Sequence, residues 1–151
     1  MTMRKISILA AVAAFAASPA MAAGEGRVVA NGGIVFAGGA SEATIGAEAG
    51  YDFDLGDKAF VGVAGGVKKI LADGSDAFFE VGGRVGAKLG DKTKIYALGG
   101  LAFCCGSSDG FAGVGLQRNF GNLLLGNIEY RRIIGSGTDL NFVTVGLGVR
   151  F

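Results

Sequence analysis

The sequence predicts an all-β fold: an eight-stranded antiparallel up-and-down transmembrane β-barrel, preceded by a cleavable signal peptide. Half of the residues are hydrophobic and only 18% are charged, yet beyond the N-terminal region no apolar run approaches the roughly 20 residues of a membrane-spanning helix. Apolar and polar residues instead alternate in eight segments, as they do in strands that face lipid on one side and a lumen on the other. The last of these segments ends the chain on an aromatic residue, Phe151.

The N-terminus has the three parts of an export signal. Arg4 and Lys5 supply positive charge, an apolar run follows, and small residues lead to Ala22. The apolar run is roughly a dozen residues long, which is too short to span a bilayer as a helix. We therefore expect cleavage after Ala22, with residues 1–22 as the signal peptide and residues 23–151 as one barrel domain.

Eight segments of the remaining chain show period-two alternation bounded by turn residues. They are residues 27–38, 44–55, 58–68, 77–89, 94–104, 110–120, 123–134 and 139–151. A strand crosses a bilayer with about nine to eleven residues, so each segment is long enough. The sequence therefore predicts eight membrane-crossing strands.

The connections between these segments alternate in character. Those after the second, fourth and sixth segments contain Gly56-Asp57, Gly90-Asp91 and Gly121-Asn122, pairs suited to tight hairpin turns with positive φ. The others, residues 39–43, 69–76, 105–109 and 135–138, are rich in glycine, serine and aspartate. We expect the tight turns to face the periplasm and the other connections to face the cell exterior.

The second and fourth segments indicate which face contacts lipid. Their apolar faces carry Ile45, Ala47, Ala49, Tyr51, Phe53, Phe79, Val81, Val85, Ala87 and Leu89, and their other faces carry Thr44, Gly46, Glu48, Gly50, Asp52, Glu80, Gly82, Arg84, Gly86 and Lys88. A strand face that is half glycine makes a poor water-exposed surface, but it fits the narrow lumen of an eight-stranded barrel. A soluble periplasmic ligand-binding barrel, which would expose its polar face to water, is therefore the weaker alternative.

Aromatic residues on the apolar faces fall at two levels. Phe36, Phe79, Phe103 and Tyr130 lie near the predicted outer rim, and Tyr51, Phe53, Phe120 and Phe151 lie near the inner rim. Two aromatic girdles around an aliphatic belt are typical of outer-membrane barrels. Arg118 is the one charge on a predicted lipid face, and it lies near the inner girdle.

Polar residues on the opposite faces are the candidate functional residues. The predicted lumen network comprises Glu48, Asp52, Glu80, Arg84, Lys88, Gln117, Asn127, Glu129, Arg131 and Arg150, with Asn119 and Thr144 between them. Enclosed charges must be paired or hydrated, so we expect a network of ion pairs that fills a polar lumen. The alternative is a narrow porin-like channel for ions or small polar solutes, although eight-stranded barrels are generally filled by side chains.

The C-terminal segment carries a further pattern, in which Val143, Val145, Leu147, Val149 and Phe151 share one face. Such an ending resembles the signal that bacterial outer-membrane barrels present to their assembly machinery, with Val149 and Phe151 as its residues here. The whole pattern resembles the small outer-membrane barrels of the OmpA/OmpX type and the opacity-like, porin-like surface antigens. That resemblance implies a non-enzymatic surface or structural role in a Gram-negative cell envelope.

The same resemblance implies the surroundings of the chain. The expected partners are outer-membrane lipid, lipopolysaccharide, periplasmic chaperones and the barrel-assembly machinery, and the expected state is a monomer. Lys69 and Arg132 lie at outer strand ends and each follows another basic residue, so they are candidate contacts to lipopolysaccharide phosphates. The alternative is that they are long side chains that reach the interface without a specific partner.

Several other functions are disfavoured by composition. The chain has no histidine, the base on which outer-membrane barrel enzymes rely, so we assign no catalytic residue, and we expect no cofactor or metal. It has 14 basic and 13 acidic residues and no basic stripe, so nucleic acid is not an expected partner. Cys104 and Cys105 are adjacent; two thiols are the favoured interpretation, and a vicinal disulfide is the alternative.

Overall fold

The computed structural model describes residues 23–135 and 137–151, which form a closed β-barrel. Its strands are β1 (Gly24–Ala37), β2 (Ala40–Leu55), β3 (Ala59–Ile70), β4 (Ala77–Leu89), β5 (Thr93–Cys104), β6 (Ser107–Phe120), β7 (Leu124–Ile134) and β8 (Leu140–Arg150). Each strand pairs antiparallel with the next, and β8 pairs with β1, which closes the sheet. The predicted fold class is confirmed. The expected export signal, residues 1–22, lies outside the described residues.

Each of the eight predicted segments is a strand, but some strands are longer than predicted. The β1–β2 and β5–β6 connections are only Gly38-Gly39 and Cys105-Gly106, so the predicted loops 39–43 and 105–109 are wrong. All four of these residues have positive φ, between 54° and 87°, and a two-residue hairpin turn with positive φ at both positions matches the twist of its strands. The strands therefore continue almost to the end of the barrel.

The two ends of the barrel differ in what they carry. One end, here called the outer end, carries the β1–β2, β3–β4, β5–β6 and β7–β8 connections. The other, here called the inner end, carries residues 23 and 151 and the turns at Gly56, Gly90 and Gly121, each with φ of 72–74°. These glycines occupy the positions that the Gly-Asp and Gly-Asn pairs predict. No helix in residues 23–135 or 137–151 is long and apolar enough to cross a membrane.

Strand β4 shows which side chains face the lumen and which face outward. Glu80 and Arg84 are buried in the lumen, whereas Val81 and Val85 are 52% and 56% exposed on the outside. Residues that lie opposite each other on paired strands point to the same face of the sheet. The inward and outward positions of β4 therefore fix those of the other strands. The exterior is therefore apolar, and Arg118, which donates a hydrogen bond of 3.2 Å to Thr93 Oγ1, lies on it near the inner end.

Glycine on the lumen face has a steric cause. A Cβ atom at Gly62 would lie 2.3 Å from Asp52 Oδ1, and one at Gly115 would lie 2.5 Å from the ring of Tyr96. Neither distance is tolerable for non-bonded atoms, so the large side chains of one strand occupy the space left by glycine on another. The narrow lumen predicted from the glycine-rich faces is what the structure contains.

The C-terminal residue belongs to the seam between β1 and β8. Phe151 N donates to Gly26 O at 3.0 Å, and Gly26 N donates to Phe151 O at 2.8 Å. The Phe151 ring covers Gly26, since a Cβ there would lie 2.4 Å from Phe151 Cε2. Phe151 thus completes the ladder that closes the barrel and also contributes to the inner aromatic girdle.

Candidate functional site

The lumen is the candidate site, and its inner half is organised around Asp52. This carboxylate has no solvent exposure. Its Oδ1 accepts hydrogen bonds of 2.9 Å from Arg27 Nη1 and Arg84 Nε, and its Oδ2 accepts bonds of 2.5 Å from Arg84 Nη2 and 3.0 Å from Lys94 Nζ. One buried anion therefore holds three cations that come from β1, β4 and β5.

A second cluster lies further toward the outer end, around Arg131. Its guanidinium binds Glu80, Glu129 at 2.8 Å and Glu48 at 3.3 Å. Lys68 Nζ adds a 3.0 Å contact to Glu80 Oε2. The Asp52 cluster is joined to this one by Arg27, whose Nη2 lies 3.0 Å from Glu48 Oε1, so the charges of the lumen form one connected network.

Aromatic rings line this network and contact its cations. The Arg84 guanidinium lies 4.4 Å from the centre of the Tyr96 ring, and that of Arg131 lies 4.8 Å from the Phe111 ring. Cation–π contacts stabilise charges that have lost their water. Tyr96 also donates a 2.7 Å hydrogen bond to Glu129 Oε1. The rings therefore fill the space between the ion pairs and leave little room for solvent.

The outer end of the lumen is apolar, in contrast to the polar lumen expected from the sequence. A set of buried side chains, here called the outer cluster, consists of Val35, Phe78, Ala102, Phe111, Ile133 and Phe142. The rings of Phe78 and Phe142 pack with centroids 6.0 Å apart, and Phe142 has no solvent exposure. The expectation of a polar lumen thus holds for the inner and central parts, while bulky hydrocarbon closes the outer end.

Little free space remains among the charged residues. A cavity of about 20 Å³ lies at the centre, bordered by Glu48, Glu80, Arg84, Glu129 and Arg131 together with glycines and Phe111. That volume holds about one water molecule. The lumen is therefore filled by side chains in the manner of an eight-stranded barrel.

The structure places each predicted lumen residue on the inward face, but these residues form two groups at different levels of the barrel. Lys88 and Arg150 lie at the inner rim rather than in the central network, where they pair with Asp54 at 2.6 Å and Glu25 at 3.0 Å. The remaining eight line the centre, at Glu48, Asp52, Glu80, Arg84, Gln117, Asn127, Glu129 and Arg131. Gln117 accepts a 2.9 Å hydrogen bond from Arg84 Nη2, so the amides serve the same network.

Several members of the network were missed from the sequence. They are Glu25, Arg27, Asp54, Lys68, Lys94 and Tyr96. Alternate residues of a strand share a face. Each of these residues lies an even number of positions from another inward residue of its own strand, so it also points inward. Lys68 could have been found this way, since the adjacent Lys69 was expected to point outward.

The candidate lipopolysaccharide contacts point outward near the outer end but are not neighbours. Lys69 lies on β3 and Arg132 lies on β7, on opposite sides of the eight-stranded barrel. Arg132 is exposed and binds Asp139, whereas Lys69 is exposed and makes no ion pair within the described residues. In residues 23–135 and 137–151, no group of three or more cysteine, aspartate or glutamate side chains is placed to hold a metal ion.

The adjacent cysteines are joined by a disulfide in the structure, so the expectation of two thiols is wrong. Cys105 adopts φ of 57° at the first position of its hairpin turn. The strained turn that a bond between neighbours requires is thus supplied by the hairpin itself.

Comparison with known proteins identifies the fold. No protein-family model and no curated protein matches the chain. Among solved structures, the attachment invasion locus protein Ail of Yersinia pestis matches with a TM-score of 0.67 and 14% identity, over 87% of this chain and 100% of Ail. The N-terminal β-barrel domain of OprF from Pseudomonas aeruginosa matches with a TM-score of 0.61 and 15% identity, over 84% and 97%. Neisserial surface protein A matches with a TM-score of 0.58 and 15% identity, over 85% and 97%.

These matches define the class of the fold. The chain forms the closed eight-stranded antiparallel barrel that small bacterial outer-membrane proteins form. At 14–15% identity the similarity is one of backbone architecture. What the barrel does must be argued from its own residues.

Proposed function

We propose that this protein is a non-enzymatic integral barrel of the bacterial outer membrane with a surface or structural role in the envelope. The observation that carries the proposal is the outer cluster of apolar side chains above an ion-pair network whose central members are buried. A conducting pore needs a continuous polar path, and the bulky rings at Phe78 and Phe142 interrupt it. A barrel with an apolar exterior and a closed lumen suits a structural role in the membrane better than the transport of solutes.

The proposal also covers export and location. The expected signal, residues 1–22, directs secretion, and the mature chain from residue 23 folds into the outer membrane with the help of periplasmic chaperones and the barrel-assembly machinery. The apolar exterior supports this location, because side chains such as Val81 and Val85 would be poorly solvated in the periplasm. The barrel closes on itself without an unpaired edge, so we propose that it is a monomer.

No reaction is assigned to the lumen. Its carboxylates are held in ion pairs, as Asp52 is by three cations, and the chain has no histidine to act as a base. Breaking these contacts to engage a substrate would leave buried cations unpaired, which is costly. The proposal therefore includes no catalytic residue and no cofactor.

A planar-bilayer recording tests the closed lumen against the narrow channel. We expect no stepwise conductance from correctly folded wild-type protein. Replacing both Phe78 and Phe142 with alanine removes two rings of the outer cluster and should give only brief, small current events, because the ion-pair network still fills the central lumen. Phe79→Ala is the matched control, since Phe79 points to lipid, and it should stay silent. Regular conductance steps from the wild type would overturn the structural role and favour the channel for ions or small polar solutes.

The terminal residues Val149 and Phe151 are proposed as the assembly signal. Deleting Phe151 should reduce the amount of folded barrel in the outer membrane of cells several-fold, while refolding in detergent should be little affected. Loss of two backbone hydrogen bonds to Gly26 costs only about 1–3 kcal/mol of folding free energy. In cells, the barrel-assembly machinery would also lose the aromatic residue that we propose it recognises. Heat-modifiable gel mobility measures folded protein in both settings. An equal loss of folded barrel in cells and in detergent would show that Phe151 acts only by closing the seam between β1 and β8.

Lipid contacts at the outer rim complete the proposal. Lys69 and Arg132 point outward near the outer end, and we propose that they contact the phosphates of lipopolysaccharide. Lys69 makes no ion pair with a described residue, so its full charge is free to contact a phosphate, whereas the charge of Arg132 is partly neutralised by Asp139. Of the two, Lys69 is therefore the stronger candidate.

A further inference from the structure

The disulfide between Cys104 and Cys105 lies at the outer end of the β5–β6 hairpin. Cys104 is the last residue of β5, and Cys105 with Gly106 forms the turn. Cys104 is half-buried and packs against the outer cluster, while Cys105 is exposed. The two sulfurs thus differ in access, and a molecule in solution reaches Cys105 first.

This bond has no evident use as a structural staple. A disulfide stabilises a protein mainly by closing a loop of the unfolded chain, and its effect grows with loop length. Adjacent residues enclose no such loop. Turn formation does not explain the pair either, because a hairpin turn with positive φ at its first position favours asparagine, aspartate or glycine there, and Cys105 has φ of 57°.

We propose that Cys104–Cys105 is a thiol–disulfide exchange site that reacts with small neutral or cationic thiols while the barrel stays folded. The thiolate of the first small thiol attacks Cys105 Sγ, the bond between the two cysteines breaks, and Cys104 leaves as a thiolate that takes a proton from water. A second small thiol attacks the mixed disulfide and releases the Cys105 thiol. The protein gains two electrons and two protons, and the two small thiols become one small disulfide.

A neighbouring carboxylate gives the site its preference for thiols of particular charge. Asp76 Oδ2, from the β3–β4 connection, lies 3.6 Å from Cys105 Sγ. A negative charge at this distance repels an attacking molecule that carries a further negative charge and attracts one that carries a positive charge. Anionic thiols should therefore react more slowly than cationic thiols of the same intrinsic reactivity.

Maleimide labelling of the refolded mature chain tests the exchange. Before reduction, folded protein should take up no maleimide; after treatment with cysteamine, it should take up two per chain, as read by intact mass. Its heat-modifiable mobility should be unchanged, because no loop has been opened. The double variant with Cys104→Ser and Cys105→Ser should fold and take up none. Two labelled thiols without reduction, or labelling that requires unfolding, would each overturn the proposal.

Charge selectivity provides an independent readout. The ratio of the reduction rate with cysteamine to that with mercaptoethanesulfonate is compared between wild type and Asp76→Asn, so that the intrinsic reactivities of the two thiols cancel. We expect this ratio to fall by at least about twofold in the variant, the size expected for one exposed charge in water. Asp73→Asn changes a nearby exposed acid of the same connection and should leave the ratio unchanged. An unchanged ratio in Asp76→Asn would overturn the role given to Asp76.

Discussion

Asp52→Asn is expected to lower the free energy of unfolding by about 3–5 kcal/mol, the usual cost of removing one partner from a buried ion pair. The physical reason is that Arg27, Arg84 and Lys94 all contact this carboxylate. An amide carries no charge, and its NH2 group would face guanidinium or ammonium donors. Urea unfolding of the refolded barrel, followed by far-ultraviolet circular dichroism, measures the loss.

The matched control for this change is Asp54→Asn. Asp54 lies two residues along the same strand and the same face, but its partner Lys88 is at the inner rim, and the two side chains are 30% and 20% exposed. An ion pair that retains contact with water contributes at most about 1 kcal/mol. Equal losses in the two variants would show that Asp52 is not the centre of the inner half of the lumen.

Val145→Arg is expected to lower the free energy of unfolding by about 2–4 kcal/mol in a bilayer, the cost of an arginine at the midplane of a barrel's lipid face. Val145 is the middle residue of β8 and is 60% exposed on the outside. The measurement is reversible unfolding from lipid vesicles in urea. In detergent micelles the loss should be smaller, because the guanidinium reaches water more easily.

Leu124→Arg is the control for depth. Leu124 is the first residue of β7, is 54% exposed on the same outward face and lies at the inner end. An arginine near the interface costs only about 0–1 kcal/mol, and the natural Arg118 already occupies a similar level. If Val145→Arg were neutral in lipid, the apolar exterior would not be in contact with hydrocarbon, and the proposed location would be wrong.

The strands and their faces could be predicted because alternation is a local property. In β4, for example, Glu80, Gly82 and Arg84 point inward, whereas Val81 and Val85 point outward. A one-residue shift would turn Glu80, Arg84 and Lys88 toward lipid, so the pattern leaves a single orientation. The pairing of neighbouring strands then follows from the short turns that connect them.

The outer cluster could not be predicted in the same way, because local contrast disappears at the outer strand ends. Phe78 is followed by Phe79, and Phe142 is followed by Val143, so both faces are apolar there. The outward positions of Phe79 and Val143 imply that Phe78 and Phe142 point inward, but parity does not say that rings from β4 and β8 meet across the lumen. Ion-pair partners are a harder problem still, since the contact between Arg27 and Asp52 depends on the register between strands.

The two-residue hairpins at Gly38-Gly39 and Cys105-Gly106 leave little loop surface at the outer end of the barrel. Each adds only two residues to a pair of hydrogen-bonded strands, so neither offers a long segment that could fold around a ligand. Residues 71–76 form a longer connection, and an antibody raised against the outer end of the folded barrel should bind there rather than at the two hairpins.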